Sequence, residues 1–257
     1  MAIDYAVDDG IAVITINRPE RMNAMDLEHY QALSHAWQRV RDDKAVRVAI
    51  ITGAGDRAFT AGADIKTFVS APMDMSEMWL TQRDQLLNRG LEIWKPVIAA
   101  VNGLSMGGGT TLLFATDIRV AAEHATFSLS EVKRGIVAGN GGTQRVLSQI
   151  PYALAMEMTL TGDTIDAQTA YRWGLINQVV PKEGLMDAAL AYAHRIAANA
   201  PLAVQAAKEL ALRSREMDLT TGLRVEQMYN RLLQTTEDAK EGPAAFSEKR
   251  PARFVGR

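Results

Sequence analysis

Residues 103–113 read "GLSMGGGTTLL" and follow the apolar run "VIAAVN" at 97–102. Three consecutive glycines, 107–109, open a segment that otherwise has the composition of a helix. Glycine lowers helix stability by about 1 kcal/mol per residue relative to alanine, so its repetition here needs another reason. A backbone N–H can approach a ligand closely where no side chain intervenes, and the first N–H groups of a helix have no acceptor within it. The stretch therefore predicts a buried strand that leads into a helix whose first N–H groups are available to a ligand.

The composition is that of an ordinary globular enzyme and excludes several classes of chemistry. Of the 257 residues, 47% are hydrophobic and 23% are charged, and the net charge of −2 gives no basic surplus for a nucleic-acid partner. The absence of cysteine excludes disulfides, thiolate nucleophiles and Cys-ligated metals, and it fits a reducing compartment. Residues 1–10 lack the pattern of a signal peptide, and no apolar run is long enough to span a membrane. We therefore expect a cytoplasmic protein with no membrane segment.

Strand and helix signals alternate through the first half of the chain and predict an α/β fold. Asp9-Gly10 predicts a hairpin between two short strands. Asp26 can cap a helix whose apolar face consists of Leu27, Tyr30, Leu33, Trp37 and Val40. Further along, the patterns predict buried strands at 46–55, 97–103 and 117–122, a helix at 75–94, mostly helical structure from Thr143 onward, and a helix that begins at Pro201.

Several familiar motifs are incomplete in this sequence. Gly53, Gly55 and Ala58 form a relaxed dinucleotide fingerprint, but a loop follows in place of the long helix that NAD binding requires. The run "GNGGTQR" lacks the Gly-Lys-Ser/Thr of a phosphate loop, and no G-x-S-x-G nucleophile elbow occurs. The histidines are scattered without metal-ligand spacing, and His29 and His35 lie on a predicted surface helix. We therefore expect neither NAD nor a bound metal.

Two glycine-bearing corners remain, "AGAD" at 61–64 and the glycines at 107–109, and each is predicted to follow a buried strand. If their N–H groups converge, they can bind a carbonyl oxygen that becomes negative during a reaction. One such donor contributes roughly 3 to 4 kcal/mol to the stabilisation of a transition state. Either corner alone is more often only a tight turn, so the prediction of an oxyanion hole depends on the two together.

Long ordered segments of the chain resemble the crotonase superfamily, also called the enoyl-CoA hydratase/isomerase family. The resemblance implies a ββα spiral core over 1–199, which carries the active site, and a helical C-terminal region over 200–257, which supplies trimer contacts. It also implies a homotrimer or a hexamer of two trimers, an acyl-CoA substrate, and no cofactor besides the coenzyme A that is part of that substrate. The segments are "INRPERMNAM" (16–25), "AFTAGADIKTF" (58–68), "KPVIAAVNGLSMGGG" (95–109), "ATDIRVAAEHATFSLSEVKRGIVAGNGGTQR" (115–145), "AMEMTLTGDTIDAQTAYRWGLINQVV" (155–180) and "TEDAKEGPAAFSEKR" (236–250).

The resemblance also assigns roles to individual residues. The two oxyanion N–H donors fall on Ala63 and Gly108, and a catalytic acid/base falls on Glu131. Residues 68–82, which are rich in methionine, are predicted to line or cover the acyl pocket. The coenzyme A contacts fall on Met22, Ala24, Ala61, Ala63, Asp64 and Ile65, with Lys66 either helping to neutralise phosphate or serving as an ordinary surface lysine.

One departure from the family pattern leaves the reaction open. The second catalytic glutamate of the family's hydratases falls on Thr111, whose hydroxyl can hold a water or fill space but cannot serve as a general base. A single carboxylate at Glu131 is compatible with hydration, with double-bond isomerisation and with a retro-aldol-type cleavage. The last reaction is that of hydroxycinnamoyl-CoA hydratase-lyases, which the Thr111/Glu131 pair and Tyr229 resemble. A catalytically weak acyl-CoA-binding protein is a further alternative, whereas the net charge disfavours RNA binding.

Overall fold

The computed structural model describes residues 1–66 and 86–257, and their strands form two sheets. The larger sheet contains, in spatial order, β1 (Ile3–Asp8), β2 (Ile11–Ile16), β3 (Val48–Gly53), β5 (Val97–Val101), β7 (Ile118–Ala122) and β10 (Gln178–Val180). The smaller sheet contains β4 (Ala58–Thr60), β6 (Leu104–Met106), β8 (Thr126–Ser128) and β9 (Ile165–Asp166).

Helices connect and flank the two sheets. The first, α1 (Leu27–Asp42), begins after Asp26, whose carboxylate accepts a hydrogen bond from the His29 N–H and so confirms the predicted cap. The predicted helical character after Thr143 and the helix start at Pro201 are also confirmed. The remaining helices are α2 (Gly108–Leu113), α3 (Gly142–Val146), α4 (Tyr152–Thr161), α5 (Ala167–Arg172), α6 (Leu185–Ala197), α7 (Pro201–Arg213), α8 (Leu219–Leu233) and α9 (Glu237–Ser247).

The first two strands form the predicted hairpin, and the rest of the larger sheet is parallel. β1 pairs with β2 across a turn in which Asp9 and Gly10 have φ values of 43° and 75°, as a two-residue hairpin turn requires. β2, β3, β5, β7 and β10 pair in parallel. Every residue of β3 and β5 is buried, which explains why, Thr52 apart, their sequences are apolar.

Alternate residues of the parallel strands face two separate apolar layers. Val48 and Ile50 of β3 belong to the layer that packs against Leu185 and Ala189 of α6. Ala49 and Ile51 face the opposite layer, which also contains the buried side of α1. The larger sheet is therefore covered on both faces, as a mostly parallel sheet must be.

The buried side of α1 differs from the prediction at the first turn. Leu27 is 46% exposed, so its assignment to the apolar face is wrong. His29 is buried instead of lying at the surface, and its Nδ1 atom lies 2.7 Å from the Asp26 Oδ1 atom. The other predicted positions are buried: Tyr30, Leu33, Trp37 and Val40.

The predicted helix at 75–94 is wrong over its last nine residues. Residues 86–94 contain only a 3₁₀ turn, Leu87–Arg89, which ends at Gly90 with φ of 86°. Glycine adopts this left-handed conformation readily and so stops the turn there. Residues 75–85, and the whole methionine-rich stretch 68–82, lie outside the described residues.

The short strands of the smaller sheet bring the two glycine corners together. β4 follows β3 and β6 follows β5, and the strand–strand–helix unit that the family resemblance implies is present in β1–β2–α1 and in β5–β6–α2. The glycines at 107–109 do not come directly after the buried strand at 97–101, because the chain first turns at Gly103 and forms β6. A Cβ atom at Gly103 would lie 2.4 Å from the Arg57 backbone. Since β4 and β6 pair in parallel, the corners that follow them meet at one edge of the sheet.

The C-terminal helices are tied to the sheet by polar contacts. The Lys208 ammonium in α7 lies 2.7 Å from an Asp117 carboxylate oxygen and donates a hydrogen bond to the Lys95 carbonyl. The boundary between a core at 1–199 and a C-terminal region at 200–257 stays a prediction. No helix within 1–66 and 86–257 is long and apolar enough to cross a membrane.

Candidate active site

A cavity of about 240 Å³ opens where the two glycine corners meet. Ala61, Ala63 and Ile65 line it from the first corner, and Gly107 and Gly108 line it from the second. The structure thus brings both predicted oxyanion donors to one cavity.

The backbone of the two corners is in close contact. A Cβ atom placed on Gly62 would lie 2.8 Å from the Gly108 nitrogen, and one placed on Gly108 would lie 3.6 Å from the Ala63 nitrogen. Neither the Ala63 N–H nor the Gly108 N–H has an acceptor among the residues that the structure describes. Two N–H donors are therefore available, side by side, at the cavity.

Each glycine of the 107–109 run has its own structural reason. Gly107 has φ of 54° and ψ of −118°, a conformation that side chains disfavour. A Cβ atom on Gly109 would lie 2.4 Å from the Thr60 carbonyl oxygen, so only glycine lets α2 pack against β4. Gly108, between them, presents its N–H at the cavity. The glycine run therefore allows α2 to pack closely against β4 and leaves the Gly108 N–H exposed at the cavity.

Glu131 reaches the cavity from a third element, the 3₁₀ turn Ser130–Arg134 that follows β8. Its Oε1 atom lies 3.3 Å from the position that a Cβ of Gly107 would occupy. Its Oε2 atom is buried and has no hydrogen-bond partner. Burial raises the pKa of this carboxyl above that of an ordinary glutamate, while its own backbone N–H and the Arg134 charge oppose the shift. A carboxyl with a raised pKa beside N–H donors is suited to proton transfer near neutral pH.

Thr111 lies one helical turn beyond Gly107, and its N–H donates to the Gly107 carbonyl. Its side chain is 1% exposed, and its hydroxyl has no hydrogen-bond partner. The hydroxyl oxygen lies 2.7 Å from the position that a Cβ of Gly142 would occupy, and Thr111 is not among the cavity-lining residues. The catalytic role assigned to Thr111 stays a prediction.

The residues predicted to contact coenzyme A form two adjacent strips beside the cavity. The Ala61 N–H donates to the Met22 carbonyl, and Met25 exchanges backbone hydrogen bonds with Gly62 and Asp64. Met22 itself has φ of 55°, in the left-handed region. The strips at 22–24 and 61–65 therefore run side by side, although their contact with coenzyme A remains a prediction.

The acidic and basic members of these strips differ in their surroundings. The Arg18 guanidinium donates to an Asp64 carboxylate oxygen at 3.0 Å, lies 3.2 Å from an Asp26 oxygen and donates to the Ala24 carbonyl. Asp64 thus fixes one strip to the other. Ile65 is 52% exposed, and Lys66 lies at the surface next to it.

Among the cavity-lining side chains that sequence patterns missed are Tyr30, Arg89 and Arg134. Burial raises the pKa of Tyr30 to about 12, so its phenol is neutral at pH 7, and its hydroxyl lies 3.7 Å from the Cβ position of Gly108. The Arg89 guanidinium lies over the Tyr30 ring, 5.3 Å from its centre. Helical periodicity placed Tyr30 only in an apolar face. Arg134 follows Glu131 by three residues in the same short turn, and this spacing could have predicted that both lie at the site.

Tyr229 lies in α8 and outside the cavity lining of its own chain. Burial and the Glu209 carboxylate raise the pKa of Tyr229, while the Arg213 charge opposes the shift. Among the described residues, no group of three or more His, Cys, Asp or Glu side chains could hold a metal ion.

Comparison with known proteins relates this arrangement to a described family. The family model for enoyl-CoA hydratase/isomerase matches residues 6–257. (E)-Benzylidenesuccinyl-CoA hydratase of Thauera aromatica is 41% identical over 256 residues, which cover 100% of each chain. Carnitinyl-CoA dehydratase of Proteus mirabilis is 40% identical over 95% of this chain and 94% of its own.

Solved structures agree with these sequence matches. Enoyl-CoA hydratase EchA1 from Mycobacterium marinum superposes with a TM-score of 0.89 at 40% identity, over 99% of each chain. An enoyl-CoA hydratase from Bacillus anthracis superposes with a TM-score of 0.92 at 35% identity, over 100% of each chain.

Proposed function

Because the chain belongs to the enoyl-CoA hydratase/isomerase family, we propose that it adds water to, or removes water from, an acyl-CoA thioester through an enolate. One observation carries the proposal. Glu131 is the sole carboxylate in the described lining of a cavity that also presents the free N–H groups of Ala63 and Gly108.

The thioester carbonyl oxygen lies between the Ala63 and Gly108 N–H groups in this proposal. Attack at C3 moves negative charge onto that oxygen, and the two donors stabilise the charge where it develops. The close packing of Gly62 against Gly108 holds the donors at a fixed spacing, so little reorganisation accompanies the reaction.

Glu131 carries the proton. Its carboxylate accepts a proton from water while the water oxygen bonds to C3 and the C2–C3 π electrons move toward the thioester oxygen. The resulting carboxylic acid then gives the same proton to C2, and the electrons return from the enolate. Every proton is accounted for with one carboxylate, so the step needs no second acid and no metal or redox cofactor. The buried Thr111 hydroxyl and the Glu131 Oε2 atom each lack a hydrogen-bond partner among the described residues.

The coenzyme A moiety lies along the strips at 22–24 and 61–65, with Lys66 at their outer end. Their backbone groups are adjacent to the oxyanion donors, so a thioester held there extends naturally from the nucleotide to the cavity. We assign the protein to the cytoplasm, which its lack of cysteine fits.

The C-terminal region supports assembly into a trimer or a hexamer. Leu219, Met228, Leu232 and Phe246 are 77%, 64%, 67% and 88% exposed on α8 and α9. Large apolar side chains concentrated on one region favour contact with another copy of the chain.

The test is incubation with crotonyl-CoA, followed by absorbance of the conjugated thioester and by mass spectrometry. Hydration predicts loss of the absorbance together with a product heavier by one water. Loss of conjugation without a mass change indicates isomerisation, and release of an aldehyde from a hydroxycinnamoyl-CoA indicates the lyase reaction. Binding without any conversion of either thioester would contradict the proposal and leave an acyl-CoA-binding protein.

A further inference from the structure

The cavity carries more positive charge than proton transfer by Glu131 requires. Arg89 and Arg134 both line it, and Glu131 is the single acid in the lining that the structure describes. With Glu131 ionised, the described part of the lining has a net charge of about +1, and when Glu131 takes up its proton that charge becomes about +2. Binding of a purely apolar acyl group does not require this excess of positive charge.

Arg89 is held in place by neutral groups. It is half-buried, its Nε donates to the Asn140 Oδ1 atom at 3.0 Å, and its guanidinium lies over the Tyr30 ring. These contacts fix the guanidinium plane and leave its charge uncompensated within residues 1–66 and 86–257. An oriented guanidinium with free N–H groups binds a carboxylate in two-pronged fashion.

Arg134 lies on the Glu131 side of the cavity. Its Nη1 donates to the Ser130 carbonyl and hydroxyl oxygens at 3.1 and 3.0 Å, again without an ion pair to any described carboxylate. Its neighbour Lys133, by contrast, forms an ion pair with Asp163 outside the cavity. The same short turn thus places Lys133, paired with Asp163, outside the cavity, and places the exposed Arg134, which has no carboxylate partner among the described residues, in the cavity lining.

We infer that Arg89 and Arg134 bind a carboxylate on the acyl group, so that the substrate is the coenzyme A half-thioester of a dicarboxylic acid. The inference rests on the proposed function, since it names the substrate class of the same cavity. The two arginines lie on separate elements, Arg89 on the 3₁₀ turn Leu87–Arg89 and Arg134 on the 3₁₀ turn Ser130–Arg134, so each supplies positive charge independently of the other. Apolar contacts from Ile136 and Val137, which also line the cavity, accommodate the chain between the two carbonyl carbons.

The phosphates of coenzyme A are the other anions that these arginines could bind. Two ligands that share coenzyme A and differ only in one carboxylate separate the sources. Adipyl-CoA carries a free carboxylate at the far end of its acyl chain, and its monomethyl ester has nearly the same shape without the charge. A contact to phosphate affects both ligands equally, whereas a contact to the acyl carboxylate affects only the acid.

The experiment measures dissociation constants of both ligands by calorimetry and steady-state turnover of the matching 2-enoyl-CoA acid and ester. We expect the wild-type protein to bind the acid at least about tenfold more tightly than the ester, and to show a similar preference in kcat/KM. Arg89→Gln and Arg134→Gln should each remove most of this preference. Lys133→Gln, which removes the same charge from the same turn outside the cavity, should leave it unchanged.

The acid-to-ester ratio is the decisive readout, because Arg134→Gln also changes the pKa of Glu131 and thereby affects turnover of every substrate. Equal binding of acid and ester by the wild-type protein overturns the inference, as does an equal loss of both ligands in the arginine variants. Turnover of crotonyl-CoA decides the proposed function separately, since binding of the saturated ligands requires no catalysis. The comparison of acid with ester binding uses the wild-type protein alone, so it tests the inference even if a variant fails to fold.

Discussion

Gly62→Ala tests the oxyanion geometry through a methyl group that touches no substrate. Gly62 has φ of 84°, and its Cβ atom would lie 2.8 Å from both the Gly108 nitrogen and the Met106 carbonyl oxygen. Ordinary contacts between carbon and other heavy atoms lie near 3.5 to 4.0 Å, so about 1 Å of separation must be found. Both neighbours are backbone atoms, so the two corners themselves have to move apart.

The expected losses in kcat and in stability follow from this displacement of the backbone. Misplacing reacting groups by about 1 Å costs on the order of 10²-fold in rate, and loss of one oxyanion donor costs about 10²- to 10³-fold. We therefore expect kcat to fall by about 10²- to 10³-fold. The left-handed backbone and the overpacking should together lower the free energy of unfolding by roughly 2 to 4 kcal/mol.

Gly174→Ala is the matched control. Gly174 has φ of 75°, and a Cβ atom there meets nothing within 4 Å, so this variant isolates the backbone penalty from the steric clash. Hydration of crotonyl-CoA, followed by absorbance, should be nearly unchanged in Gly174→Ala, with only about 1 kcal/mol lost in stability. A folded Gly62→Ala protein with wild-type kcat would refute the assignment of Ala63 and Gly108 as the donors.

Three further predictions concern the remaining features of the site and surface. Thr111→Glu should raise hydration of crotonyl-CoA above the wild-type rate by restoring a second carboxylate, and no gain between about pH 6 and 9 in a folded, substrate-binding variant would show that Thr111 is not a vacated catalytic position. The kcat/KM of hydration should fall as the pH drops through the raised pKa of Glu131, because protonation removes the base. Arg134→Gln removes a positive charge that lowers this pKa, so the fall in kcat/KM should occur at higher pH in the variant, and a fall at lower pH would contradict this electrostatic role of Arg134. Light scattering at micromolar concentration should give the mass of a trimer or hexamer of the 28.1 kDa chain, whereas a stable monomer would contradict the proposed assembly.

Local signals in the sequence predicted the features that depend on neighbouring residues. The Asp9-Gly10 turn, the Asp26 cap and the start of α7 at Pro201 are confirmed, because turns and caps are decided by a few adjacent side chains. The uninterrupted apolar runs identified the buried strands, and the resemblance to the crotonase superfamily is confirmed in its α/β fold by the structural matches.

Features that depend on distant residues could not be predicted from local patterns. The strands β4, β6 and β8 are three residues long, too short for a period of two to be visible. Leu27 is exposed and His29 is buried, the reverse of the prediction, and the contact of His29 with the Asp26 cap is not visible in the helical periodicity.

The candidate site likewise contains residues that were predicted from the sequence and residues that were not. Family resemblance placed Ala63, Gly108 and Glu131, and the structure brings all three to one cavity. Arg89 lines that cavity from the 3₁₀ turn Leu87–Arg89, which ends at Gly90 where a long helix was predicted. The positive charge in this cavity therefore depends on how distant parts of the chain come together, which residue spacing does not reveal.

The central claim is that Glu131 carries the proton for a thioester held by two backbone N–H groups. Glu131→Gln tests it most directly, because the amide preserves shape while removing the titratable carboxyl. The measurement pairs kcat for crotonyl-CoA hydration with the dissociation constant of butyryl-CoA, and Glu157→Gln on the exposed surface of α4 is the control. We expect Glu131→Gln to lower kcat by about 10²- to 10⁴-fold and to change the dissociation constant by less than about threefold, while Glu157→Gln behaves like the wild type. Wild-type turnover by a folded Glu131→Gln protein would contradict it.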